Sequence, residues 1–136
     1  MDLRAPATAL AAGRVAFGTG LTVAPGPFAG VWIGRQADDR RTQIMCRGLG
    51  ARDLVLGIGG LLSLRRDDLG SPRWWFAAQA LTDATDLLAT RAAGSALEPG
   101  RRRIIELIAG GSAAIGIAVA LADVGRRPPA PALDRP

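Results

Sequence analysis

Arg52 and Asp53 stand side by side in Gly48-Leu49-Gly50-Ala51-Arg52-Asp53-Leu54-Val55-Leu56-Gly57-Ile58-Gly59-Gly60, an otherwise apolar, glycine-rich run. Arg14, Asp83 and Asp86 interrupt other apolar stretches of similar length. In water these would be ordinary charged turns of helix. Inside a lipid layer each charge needs a partner, and such residues face the protein interior and one another. Three kinds of chemistry fit arginine set against aspartate there. The first is a static salt-bridge network that fixes helix pairing. The second is a proton relay through an aspartate that stays protonated. The third is acid or base action on a lipid-like ligand by Asp53, Asp83 or Asp86.

Four helical segments must position these residues. The first, over 5–24, carries Arg14 alone among charges, has Pro6 in its first turn, and is ended by Pro25 and Pro27. The second runs over 44–64 and contains the opening stretch. A short polar turn, Arg65-Arg66-Asp67-Asp68 with Gly70 and Pro72, makes it an antiparallel neighbour of the third helix at 74–93. On the third, Gln79, Asp83, Asp86 and Thr90 recur at spacings of 4, 3 and 4, a polar seam on one face. The fourth, over 104–123, follows a loop holding Arg101, Arg102 and Arg103. Its Gly110, Ala114, Ala118 and Ala122 form a small-residue stripe suited to close helix packing, as do Thr8, Ala12, Ala16 and Gly20 on the first helix. Between the first two helices, Phe28-Ala29-Gly30-Val31-Trp32-Ile33 is apolar, too short to cross a bilayer, and suited to lie along its interface.

These segments predict an all-α fold: a four-transmembrane-helix antiparallel bundle over residues 1–125, followed by a disordered Pro/Arg-rich tail at 126–136. Each segment approaches the 20 residues that a hydrocarbon core of about 30 Å requires. The competing reading is a soluble helical bundle. The 18 glycines weigh against it, because those inside a water-exposed helix would each cost about 1 kcal/mol. Asp2 and Arg14 also fit a signal peptide badly, so the first helix is expected in the mature chain.

Composition removes several function classes. The chain has 136 residues, room for one domain. All 17 basic residues are arginine, and the net charge is +5. The arginines are spread over every loop and aromatics are few, which argues against a nucleic-acid platform and for anionic lipid headgroups. With no histidine there is no zinc constellation and no histidine base, and the single Cys46 excludes an internal disulfide. No metal and no cofactor is expected.

Helical rise estimates the depth of each charge. From the side where the chain enters, Arg14 lies about 12 Å deep and Asp83 about 13 Å. Helix two runs back the other way, which places Arg52 about 18 Å deep, level with Asp86, with Asp53 between the two levels. The expected pairs are therefore Arg14–Asp83 and Arg52–Asp86. Two arginines against three aspartates leave one negative charge over. Either Arg47 reaches inward as a third cation, with Gln79 as an accessory polar group, or one aspartate keeps a proton.

Leu49-Gly50-Ala51-Arg52-Asp53-Leu54-Val55-Leu56-Gly57 resembles the G-A-R-D/N signature of small four-helix membrane proteins of unknown function, DoxX-like in general form. Gly13-Arg14-Val15-Ala16-Phe17-Gly18 and Asp83 fit the same arrangement, and the resemblance covers residues 8 to 122. It implies an integral membrane fold and no established reaction.

The leading functional expectation is a non-catalytic, multi-pass protein of the cell membrane. Its partners would be the lipid bilayer and either a second copy of itself or a larger membrane complex. A small proton-coupled transporter or a lipid-like-ligand binding protein is the alternative, and an enzyme is the weakest reading. An even number of helices puts both termini on one side, taken as cytoplasmic. The arginines divide too evenly between the two sides to orient the chain.

Overall fold

The computed structural model describes residues 3–65 and 70–122, and within them the chain is all-helical. It contains five helices: α1 (Arg4–Val23), α2 (Pro25–Ile33), α3 (Arg40–Ser63), α4 (Pro72–Ala93) and α5 (Pro99–Leu121). Three of them begin on a proline, whose preset φ and missing N–H cost nothing at the first helical position. Two of those starts, Pro72 and Pro99, precede the expected ones, so Arg101, Arg102 and Arg103 lie in the first turns of α5 instead of a loop. The tail at 126–136 lies outside the described residues.

The fifth helix is α2, where the sequence predicted only an apolar connection. Its origin is Ala24, which precedes Pro25 and is held out of the helical region at φ −131°, ψ 66°. That single break turns the chain by 110° between α1 and the segment at 25–38. Gly34, at φ +66°, ends α2 in the left-handed region that glycine enters without strain. A 3₁₀ turn over Gly34–Asp38 follows. Asp39 then caps α3, its carboxylate accepting the backbone N–H groups of Arg41 at 2.9 Å and Thr42 at 3.0 Å, an arrangement that stabilises a helix start by about 1 kcal/mol.

The helices pack as two close pairs, α1 with α3 and α4 with α5. In the first pair the backbones touch. A Cβ added to Gly50 would sit 2.7 Å from the Gly18 carbonyl oxygen, and one added to Gly57 2.8 Å from that of Ala11. The second pair closes on Gly116, which faces the Phe76 carbonyl and Ala80. The face of α5 turned inward is Ile105, Ala109, Ala113, Gly116 and Val119. This differs from the expected stripe: Ala114 and Ala122 are exposed, while Gly110 and Ala118 are half-buried. The branched side chains at 105 and 119 bring the neighbouring face onto the core. On α1, likewise, Thr8, Ala12 and Ala16 are exposed and only Gly20 is buried.

The apolar core is small and divided. One cluster gathers Ala7, Ala11, Leu64, Phe76 and Val119, and the other Leu21, Ala29, Ala37 and Cys46. The buried polar residues include Arg14, Asp53, Gln79, Asp83 and Thr90. Meanwhile Ile44, Val55, Leu81, Leu88, Leu107 and Leu121 are exposed on the outer surface. Among the described residues, α5 is the one helix long and apolar enough to cross a membrane by itself, and α1 with 25–38 passes the same measure as a bent pair.

Candidate functional site

Buried positions alternate at spacings of 4 and 3 along three helices, the repeat that keeps one stripe turned to its neighbours. On α1 they are Ala7, Ala11, Arg14, Gly18 and Leu21. On α3 they are Cys46, Gly50, Asp53, Gly57 and Gly60. On α4 Phe76, Gln79, Asp83 and Thr90 belong to the stripe. Arg14, Asp53 and Asp83 are therefore pointed inward by the same periodicity that points their apolar neighbours inward.

These side chains meet. Arg14 donates from Nη1 to Asp53 Oδ1 at 2.8 Å and lies 2.5 Å from Asp83 Oδ1 through Nη2. Its Nη2 also donates to the Gln79 carbonyl oxygen at 3.3 Å. Arg52 uses both terminal nitrogens on Asp86, with Nη2–Oδ2 2.8 Å and Nη1–Oδ1 3.4 Å. It also reaches Asp53 Oδ1, at 3.2 Å from Nη2 and 3.3 Å from Nε. Asp53 Oδ1 is thus the shared acceptor that joins both arginines into one network. Arg14, Asp53 and Asp83 are at most 7% exposed, whereas the Arg52 and Asp86 side chains sit at the network's edge, 29% and 19% exposed.

Arg47 takes no part. It lies five residues before Arg52, about 140° around the helix, and is exposed. Gln79 is fully buried, donating from Nε2 to the Leu56 carbonyl oxygen at 2.9 Å. Among the described residues three buried side-chain polar atoms have no hydrogen-bond partner: Arg14 Nε, Asp83 Oδ2 and Gln79 Oε1.

Above the network lies a cavity of about 710 Å³. Arg14, Asp53, Asp83 and Asp86 line its floor, and Ser112 is the one hydroxyl in its wall. α1 and α5 meet near Ala7 and Val119, and further along they part. The gap between them is walled by Leu10, Gly13 and Phe17 on one side and by Ile105 and Ile108 on the other. α2 lies across the end of this gap, contributing Phe28, Val31 and Trp32. Phe17, Phe28, Val31 and Ile108 are exposed and mark the mouth. Phe17 and Phe28 pack edge to face, 6.1 Å between centroids. Arg101 fixes α2, donating from Nη1 to the Gly30 carbonyl at 2.5 Å and to that of Val31 at 3.3 Å.

Sequence reasoning placed the charged floor and missed the apolar walls. The available signal was Ala24-Pro25-Gly26-Pro27, a break that folds the following apolar run back over the bundle instead of letting it extend. Chemically the arrangement is an amphipathic cleft with a polar end and an apolar body. Among the described residues no group of His, Cys, Asp and Glu is placed to hold a metal ion. Comparison with protein-family models, with curated proteins and with solved structures returns no match to this chain.

Proposed function

We propose that the chain is a non-catalytic, multi-pass membrane protein whose lateral cleft binds a lipid-like ligand, apolar body between α1 and α5 and polar head at the charge network. The observation that carries this is the 710 Å³ cavity, apolar along its walls and charged only at its floor. Ligand pockets of about 300–1,000 Å³ have this character, mostly apolar with a few convergent polar groups. The membrane setting draws its support from an inverted distribution of side chains. Buried residues include an arginine, two aspartates and a glutamine, while isoleucine, leucine and valine cover the outside of α3, α4 and α5. Outward apolar and inward charged is the economical arrangement in hydrocarbon. In that setting α1, α3, α4 and α5 cross the bilayer, α2 lies at its border, and both termini share a side.

The mouth lies between helices and is lined by apolar side chains, which suits entry from the lipid phase. Among the described wall residues Ser112 and the Trp32 indole are the polar groups, which speaks for an amphiphile over a water-filled ion path.

Two measurements test this. Membranes containing the protein are washed in alkaline carbonate, and the protein stays in the pellet. A Trp74→Phe/Trp75→Phe background then leaves Trp32 as the reporter, and 12-bromododecanol quenches it by contact. Gly13 lines the cavity and has open space around an added Cβ, so Gly13→Leu fills the cleft and weakens the quench about tenfold. A detergent-free, monodisperse monomer overturns the membrane reading. Equal quenching in Gly13→Leu overturns the cleft as the binding place.

A further inference from the structure

The polar end of the cleft has an unequal charge count. Arg14 and Arg52 supply two positive charges, and Asp53, Asp83 and Asp86 three negative ones, all joined by contacts of 3.2 Å or less. Among the described residues nothing supplies the missing cation. There is no lysine or histidine in the sequence, and Arg47 on the same helix is turned away and exposed. The unpartnered acceptor has a definite place. Asp83 is 7% exposed and lines the cavity; its Oδ1 is held by Arg14, while its Oδ2 has no partner. One turn earlier on α4, the Gln79 Oε1 is a second buried acceptor without a donor.

Resting on the lipid-like reading of the cleft, we propose that its ligand is an amphiphilic primary amine, with the ammonium group seated on Asp83 Oδ2. An ammonium brings three N–H donors and one positive charge, which answers both the orphan acceptor and the charge excess. A carboxylate or phosphate head would meet a floor already one charge negative. A neutral alcohol satisfies the acceptor and leaves the charge. The walls formed by Leu10, Phe17, Val31 and Ile108 take the alkyl body. A carboxylate makes a charge-assisted hydrogen bond with either donor, and the ammonium adds the coulombic attraction of its own positive charge, which is strong away from bulk water.

The test uses the full chain with Trp32 as sole tryptophan, in nanodiscs of phosphatidylcholine at neutral pH. Quenching is titrated with 12-bromododecylamine, its N-acetyl derivative, 12-bromododecanol and 12-bromododecanoate. The expected order has the amine at least about tenfold tighter than the alcohol and the acetylated amine, with the carboxylate weakest. Asp83→Asn removes the amine preference and keeps alcohol binding, and Asp83→Glu retains the preference. The acetylated probe asks the same question of the unaltered protein, so the result stands even if Asp83→Asn does not assemble. Equal binding of amine, acetylated amine and alcohol overturns the amine assignment while leaving the cleft in place. A preference for the carboxylate, or an amine preference that survives in Asp83→Asn, also overturns it. Quenching by every probe that is the same in Gly13→Leu as in the parent protein overturns the cleft itself.

Discussion

Arg14 of α1 and Asp83 of α4 lie 2.5 Å apart, although 69 residues separate them in the chain. Their contact ties the α1/α3 pair to the α4/α5 pair at the level of the cleft, as does Arg52 of α3 with Asp86 of α4. Arg14 also holds Asp53, so a single guanidinium neutralises part of two buried carboxylates.

Replacing Arg14 by leucine therefore strands Asp83 and leaves Asp53 only the partly exposed Arg52. Removing one partner of a buried ion pair costs about 3–5 kcal/mol, because the charge left behind stays desolvated. Unfolding of the purified protein in mixed micelles is expected to show a loss of that size. Arg52→Ala is expected to cost about 1 kcal/mol, since its side chain is 29% exposed and solvent screens the lost interaction. A larger loss for Arg52→Ala than for Arg14→Leu would contradict the network as described.

Gly50 and Gly48 lie on the same helix and answer to different constraints. An alanine Cβ at Gly50 would be 2.6 Å from Thr22 Oγ1 and 2.7 Å from a Gly18 backbone oxygen, so α1 and α3 must move apart. Overpacking of this kind destabilises by about 1–3 kcal/mol. Nothing lies within 4 Å of a Cβ at Gly48, and Gly48→Ala should be neutral or stabilise by up to about 1 kcal/mol. The midpoint of thermal unfolding should fall in Gly50→Ala and hold or rise in Gly48→Ala.

Arg101 reports on the attachment of α2. Arg101→Ala removes the donors to the Gly30 and Val31 carbonyls, leaving the end of α2 held by side-chain packing alone. Cys46 is 5% exposed and packs in the cluster that contains Ala29 of α2. A water-soluble maleimide should leave Cys46 unlabelled in the folded parent and label it several-fold faster in Arg101→Ala, with full labelling after denaturation. Equal slow labelling in both proteins would show that α2 is fixed without the arginine.

Gln79→Leu should be tolerated despite complete burial. The substitution removes an acceptor that has no partner and a donor to the Leu56 carbonyl, an oxygen that also lies within the hydrogen-bonded run of α3. Losing an orphan and a secondary donor together is expected to change stability by less than about 1.5 kcal/mol, the range of one net hydrogen bond. Chemical unfolding against the parent protein measures it.

Much of the charged floor is legible in the sequence. Rise per residue put Arg14 level with Asp83 and Arg52 level with Asp86, and these are the pairs that meet. It worked because antiparallel helices of similar length share a depth scale, and because unpaired charge in an apolar interior is costly enough to leave few partners. Arg47 went wrong for a reason equally present in the sequence: five residues carry a side chain to the far side of the helix from Arg52. The small-residue stripes identified faces fit for close approach, yet on α5 the face turned inward begins at Ile105, one position off, and the backbone-to-backbone contacts of α1 with α3 fall on Gly18, Gly50 and Gly57.

By itself, the sequence determined four of the five helical segments and which buried charges stand level with one another, because these are local consequences of helical rise and of proline placement. Tertiary structure alone decided that α1 and α5 part above the charges and that α2 lies across the gap. That depends on the angle set at Ala24 and on backbone contact at three glycines. The break at Ala24 is written in the prolines that follow it, but neither the surface it folds onto nor the glycine contacts are recorded by any periodicity, because these exist only once helices have met.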